Sequence, residues 1–292
     1  MKTPTRFYIL SMAIFGTLAP FVRRISVSSG ELALYRAILG AALIGVFLLL
    51  QRQNPFRSGT RQEVLLLLLS GAAMGINWIL LFEAYRYTTV STATLCYYFA
   101  PVIVTILSPV LFRERLTRRQ ILCFLMATLG LGLITGLDRN GSGSGNLTGI
   151  LFGLGAAGFY AAVVLLNKYI RNTTGIQRTF LQFLAAIATL IPYVALTGGV
   201  TLSRLDTVGW LCLLTVGIVH TGITYCLYFS SLKAMPGQSA AILSYIDPLV
   251  AVLVSVTILR EPLTLRQALG GALILGFTLW NLLPEKEKAV SE

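Results

Sequence analysis

Four side chains with acid–base or ion-pairing chemistry stand within long apolar runs of this sequence: Arg36, His220, Asp247 and, at the outer end of its run, Glu83. An ionisable group at membrane depth is costly, so each becomes a functional candidate if its run crosses a bilayer. Arg36, in ELALYRAILG, carries a planar fork of donors that can hold a carboxylate through two parallel bonds. The structural alternative is a side chain that snorkels to the interface beside Glu31. His220, in GIVHTGITY, is the only histidine and could bind or relay a proton. The alternative is a neutral ring bonded to a neighbouring helix. Asp247 precedes Pro248 in SYIDPLVAV. A proline inside a helix removes a hydrogen bond and frees a carbonyl, so carboxylate and backbone together make a candidate cation or proton site. The alternative places Asp247 near a helix end. Glu83, one turn from Tyr87, reads more readily as a residue of a helix end. Asn77, beside Trp78, is a polar group that needs a partner.

These residues offer too few ligands for a metal site, and no metal or cofactor is expected. The phosphate-binding pattern G-x-x-x-x-G-K-[ST] is absent, which argues against an ATP-driven pump. An intramembrane enzyme is the rival class; a serine such as Ser244 or Ser255 would have to align with His220, and no G-x-S-x-G occurs. The cysteines Cys96, Cys123, Cys212 and Cys226 lie inside apolar runs and read as packing residues.

The elements that carry these side chains follow from composition. Of the 292 residues, 55% are hydrophobic and 12% charged, about half the charged fraction of a soluble domain. Runs of ~20 apolar residues are long enough to cross the hydrocarbon as helix, and they are continuous rather than alternating, which excludes a barrel. The pattern predicts an all-α polytopic membrane protein with ten transmembrane helices near 7–22, 31–50, 63–84, 91–112, 119–137, 147–168, 177–197, 207–230, 238–259 and 266–283. The basic start and apolar run at the N-terminus are read as an uncleaved first helix. The net charge of +12 sits in short loops, which encodes topology rather than nucleic-acid binding. Lys and Arg favour the loops on the N-terminal side (Arg52, Arg57, Arg61, Arg113, Arg115, Arg118, Arg119) over those opposite (Arg23, Arg24, Arg86, Arg139). Both termini are therefore expected in the cytoplasm, with the chain in the cytoplasmic membrane.

The sequence repeats itself. Tyr98 matches Tyr245, Pro101 matches Pro248, Ser108 matches Ser255, and Arg-Glu-x-Leu-Thr-x-Arg-Gln occurs at Arg113–Gln120 and again at Arg260–Gln267. Apolar composition does not produce that match. Each copy holds five spans, an odd number, so the second must lie upside down relative to the first, the signature of secondary transporters. The expected units are a first repeat at 1–140, a Gly/Ser linker at 141–146, a second repeat at 147–284 and a polar cytoplasmic tail at 285–292. Glu114 and Glu261 read as structural residues of the repeated loop, and Pro101 and Pro248 as hinges or helix breaks. Asp247 has Ala100 as its counterpart, so the acid is not part of what both copies need to fold.

The two copies YFAPVIVTILSPVLFRERLTRRQ and YIDPLVAVLVSVTILREPLTLRQ resemble the paired signature of EamA-type members of the drug/metabolite transporter superfamily. The resemblance covers nearly the whole chain. It implies a central cavity and transport of amino acids or other small amphipathic metabolites, often outward, by alternating access. A nucleotide-sugar carrier of the same superfamily is the alternative; it would favour several cavity cations, of which Arg36 is one. Trp78, Tyr97, Tyr98, Tyr160, Tyr225 and Tyr245 lie on helices that the family uses to line its cavity, with Phe159 and Tyr228 nearby. They would wall an apolar-to-amphipathic ligand, others serving as packing or interfacial residues. The expected partners are membrane lipids, a small-molecule substrate and coupling protons, with no nucleic acid, in a monomer or homodimer.

Overall fold

A computed structural model describes residues 3–54, 61–112, 117–135, 144–170, 172–173, 175–232, 234–235, 240 and 243–283. Among these the chain is helical, without strands. Span 1 comprises Thr3–Gly16 and Leu18–Arg24, span 2 Ser29–Leu50, span 3 Arg61–Tyr87, and span 4 Val90–Tyr97 and Ala100–Phe112. Span 5 is Arg118–Thr135, span 6 Ser144–Asn167 and span 7 Gly175–Thr197. Span 8 runs through Thr207–Leu214, Thr215–Ile223 and Thr224–Leu232, the described part of span 9 is Ile246–Thr257, and span 10 is Leu265–Leu282. Among the described residues, 7 of the spans are long and apolar enough to cross a membrane by length and composition. Span 9 falls short of that length at 12 residues because the helix is interrupted. Spans 5 and 10 have 18 residues each and begin on polar turns.

Side-chain caps start the helices where the sequence supplies them. Ser28 accepts from the Glu31 N–H, Thr89 from Thr92 and Asp206 from Gly209. The repeated Leu-Thr-x-Arg-Gln now has a physical reason. Thr264 and Gln267 form a reciprocal capping box at the start of span 10, and Thr117 and Gln120 exchange the same pair of bonds ahead of span 5, at 2.8 and 3.2 Å.

The halves are inverted. Span 5 runs antiparallel to span 10: Arg119 donates to the Leu283 carbonyl at 2.7 Å, while further along Gly130 meets Gly270. Span 2 opposes span 7 through Gly30 on Tyr193 and Gly45 on Phe180. Span 4 opposes span 9 through Ser91 on Ser255 and Tyr98 on Asp247. The remaining contacts obey the same exchange of halves: span 3 packs on span 6 as span 8 packs on span 1, and span 3 on span 7 as span 8 on span 2. Small residues allow these approaches; a Cβ on Gly71 would meet the Gln182 carbonyl at 2.5 Å.

Several spans are not the continuous helices the pattern suggested. Span 1 breaks at Thr17, span 4 at Tyr98–Phe99 and span 9 at Ser244–Tyr245. The prolines explain the last two. Pro101 is the second residue of Ala100–Phe112 and Pro248 the third of Ile246–Thr257. In a first turn the missing N–H needs no partner, so neither proline costs an interior bond or frees a carbonyl in mid-helix. Each marks the place where its helix restarts.

Candidate functional site

The breaks in spans 4 and 9 face each other. The Tyr98 hydroxyl donates to Asp247 Oδ2 at 2.7 Å. Asp247 stands in the first turn of its helix segment, half-buried. On its other side a Cβ on Gly16 of span 1 would meet the Asp247 carbonyl at 2.6 Å, so a side chain there would displace the span that carries the acid. Among the described residues the carboxylate has no other hydrogen bond and no ion pair.

Arg36 lies across the centre on span 2 and is 4% exposed. The guanidinium lies 4.7 Å from the Trp78 ring centroid and 5.7 Å from that of Phe82, an arrangement that attracts a cation to the ring faces. Its Nε donates to Thr221 Oγ1 at 2.9 Å. Among the described residues the fork formed by Nη1 and Nη2 makes no hydrogen bond. Arg36 and Asp247 lie within electrostatic range of one another without pairing. The ion pairs between described residues lie elsewhere, at Arg23–Glu261 and Arg86–Glu83.

A run of ring contacts extends from each charge. From Arg36 the sequence of contacts is Trp78 to Phe183 (5.2 Å), Phe183 to Tyr225 (5.4 Å) and Tyr225 to Phe15 (5.2 Å). From Asp247 it is Tyr98 to Tyr97 (5.8 Å) and Tyr97 to Tyr160 (5.3 Å). Tyr160 is 41% exposed although its electrostatic neighbours are Tyr228, Tyr225 and Asp247. Its open surface therefore faces a crevice between spans. The arrangement offers a buried cation and a half-buried anion, each flanked by rings.

Other candidates fall outside this group. Both ring nitrogens of the buried His220 are engaged, Nε2 with Thr17 Oγ1 at 3.1 Å and Nδ1 with the Thr215 carbonyl at 3.3 Å, and the ring packs on Phe21 at 4.9 Å. Asn77 donates to the Ala156 carbonyl at 2.6 Å and joins span 3 to span 6. Tyr245 points away from the centre, beside Thr278 of span 10 and Cys123 of span 5; two residues before Asp247, it projects from the opposite side of the helix. Glu31 accepts from Thr201, N–H at 2.8 Å and hydroxyl at 2.5 Å, so it is not the partner of Arg36. Glu83 pairs with Arg86 at 3.6 Å.

Glu261 ties one end of the bundle. Its carboxylate pairs with Arg23 of span 1, accepts from the Val90 N–H of span 4 at 2.8 Å and accepts from the Ser255 hydroxyl of span 9. Ser91 donates to Ser255 at 2.8 Å, and Arg23 also donates to the Tyr85 and Thr88 carbonyls at 3.1 and 2.8 Å. Glu114, its counterpart in the first repeat, lies outside the described residues.

Sequence reading missed Phe15, Phe82, Phe183 and Thr221. The rings lie in apolar runs where any phenylalanine is expected. Thr221 carried one signal, its place next to the only histidine.

Comparisons with known proteins agree with this architecture. The family model described as EamA-like transporter family matches residues 6–136 and again 147–283. An uncharacterized transporter of Bacillus subtilis, YxxF, is 31% identical over 286 residues, 96% of this chain and 90% of its own. An uncharacterized transporter of Archaeoglobus fulgidus is 31% identical over 276 residues, covering 93% of each chain. A solved crystal structure, described without an activity, superposes with a TM-score of 0.64 over 95% of this chain and 97% of its own at 18% identity. At that identity the likeness concerns the fold alone.

Proposed function

The chain belongs to the EamA-like transporter family, and we propose that it carries small zwitterionic metabolites of the amino-acid type out of the cell by alternating access. One observation carries this reading. Arg36 and Asp247 are opposite charges within electrostatic range, each flanked by aromatic rings, and they are not paired with each other. A buried charge without a partner is costly. A solute with a carboxylate and an ammonium group compensates both at once, the carboxylate on the Arg36 fork and the ammonium on Asp247, with its apolar side chain against the rings.

The inverted halves support alternating access, because rocking one against the other exposes a central site to each side in turn. The Lys and Arg distribution supports a cytoplasmic membrane with both termini inside, which puts the Glu261 network at the outer end. We read that tie as what holds the outer end closed. Asp247 is the group proposed to bind either a proton or the transported ammonium, releasing one when it takes the other.

The test is counterflow in proteoliposomes with L-leucine, with isoamylamine (leucine without its carboxylate) and with 4-methylpentanoate (leucine without its ammonium). Flux of leucine alone, strongly reduced in Arg36→Gln and in Asp247→Asn, is the expected result. Equal flux of the two singly charged analogues, or leucine flux untouched by either substitution, overturns the assignment.

A further inference from the structure

Hydroxyls inside the helices reveal a change of register in span 8. Thr105, Thr189 and Thr278 each donate to the carbonyl four residues back. Thr221 and Thr224 donate five residues back, to Val216 at 2.8 Å and Val219 at 2.7 Å. Thr215–Ile223 is a π-helix, an uncommon form found often at functional sites. It turns two adjacent residues toward two different places. Thr221 meets Arg36 of span 2, and His220 meets Thr17, the break of span 1. Spans 2 and 8 approach closely on either side of this pair, where a Cβ on Gly217 would meet Leu39 Cβ at 2.6 Å and one on Gly222 would meet Leu43 Cβ at 2.7 Å.

Thr221 is fully buried and both roles of its hydroxyl are used. It donates to Val216 and accepts from Arg36 Nε. The donor direction is set by the π register, so the lone pair offered to Nε has a fixed aim. The guanidinium is planar, and fixing Nε fixes where Nη1 and Nη2 point. Resting on the reading of Arg36 as the carboxylate-binding group, we propose that Thr221 is the positioning residue for Arg36 and that the adjacent His220 couples this site to the break in span 1. Ligand binding that shifts Arg36 then pulls on the π-helical stretch, and through His220 on the point where span 1 can bend.

The test uses L-leucine counterflow in proteoliposomes, with isoamylamine as a competitor that has no carboxylate. Thr221→Val removes one hydrogen bond to a charged group, an effect of about tenfold on KM, with Vmax within about twofold of wild type. Thr221→Ser restores KM, competition by isoamylamine is unchanged in both, and Thr221→Val adds nothing in an Arg36→Gln background. His220→Phe keeps the ring contact with Phe21 and loses the bond to Thr17, so Vmax falls while KM holds. If Thr221→Val and Thr221→Ser are equally impaired, or Thr221→Val leaves KM unchanged while Arg36→Gln strongly reduces transport, the positioning role is wrong. If His220→Phe leaves Vmax intact, the coupling is wrong. Leucine transport absent from wild type, or intact in Arg36→Gln, overturns the underlying reading instead.

Discussion

Tyr98 joins Asp247 through a hydrogen bond of 2.7 Å, and the two residues stand at the breaks of two helices that the duplication relates. Tyr98 has Tyr245 as its counterpart, and Asp247 has Ala100. The symmetric pairing of spans 4 and 9 therefore holds an asymmetric bond. Both halves carry the break, but only the second carries the acid. Removing the hydroxyl tests what the bond does. Tyr98→Phe keeps the ring against Tyr97 and strips the carboxylate of its donor, a change of about 1.5–3 kcal/mol for a bond to a charged group. The expected outcome is an altered KM for L-leucine, measured by counterflow, with protein yield and monodispersity unchanged.

The Glu261 network makes a second prediction. One carboxylate gathers groups from spans 1, 4 and 9 at one end of the bundle. An exposed ion pair alone contributes little, but this one also holds a helix N-terminus and a serine hydroxyl. Glu261→Gln keeps the shape and removes the charge. A cysteine placed at Thr94, between that network and Tyr98 on span 4, reports whether the end opens. With Cys96, Cys123, Cys212 and Cys226 replaced by alanine, a membrane-impermeant maleimide added outside is expected to label Thr94→Cys about tenfold faster in the Glu261→Gln background, a shift of ~1.4 kcal/mol in favour of the open form. Unchanged labelling would remove this network from any gating role.

A third prediction concerns the contact that relates the halves. Spans 5 and 10 cross at Gly130 and Gly270, where a Cβ on Gly130 would meet the Gly270 carbonyl at 2.6 Å and one on Gly270 would collide with the Gly130 carbonyl. Backbone cannot yield as a flexible side chain does. Gly270→Ala is expected to lower stability by about 1–3 kcal/mol, read as a reduced Tm in detergent. Gly276→Ala, on the same helix with open space around the site, serves as the control and is expected to raise stability slightly through helix propensity.

The spans and their inversion were legible because they rest on long-range patterns: runs of apolar residues, and the Arg-Glu-x-Leu-Thr-x-Arg-Gln loop written twice. The breaks were half legible. Pro101 and Pro248 flagged them, but a proline reads alike in a helix interior and in a first turn, and which of these applies depends on where the chain restarts. Tyr245 is two residues from Asp247, so helix geometry sends it to the opposite side, toward spans 5 and 10. The π-helical stretch leaves no mark in residue types at all; it is visible only in which carbonyl Thr221 and Thr224 reach. Nor can a sequence say that Asn77 has a carbonyl waiting on span 6, since that depends on how two helices are rotated.

The last prediction separates binding from coupling at Asp247. Asparagine has nearly the same shape and still accepts a bond from Tyr98, but it carries no charge and takes up no proton. If Asp247 exchanges a proton for the ammonium of the solute, export is driven by protons entering from the acidic side. Wild-type proteoliposomes given an acid outer face in the orientation matching the cell are then expected to move L-leucine against its gradient toward the acidic side. Collapse of the pH difference with an ionophore stops the uphill flux and leaves exchange intact. In Asp247→Asn the pH difference no longer drives accumulation, and the leucine exchange that survives the loss of the charge is the same with and without the gradient. Uphill flux that persists in Asp247→Asn places the coupling proton elsewhere. Residual exchange in Asp247→Asn then measures what the carboxylate adds to binding alone, because Arg36 and the rings around Trp78 and Tyr225 are left in place.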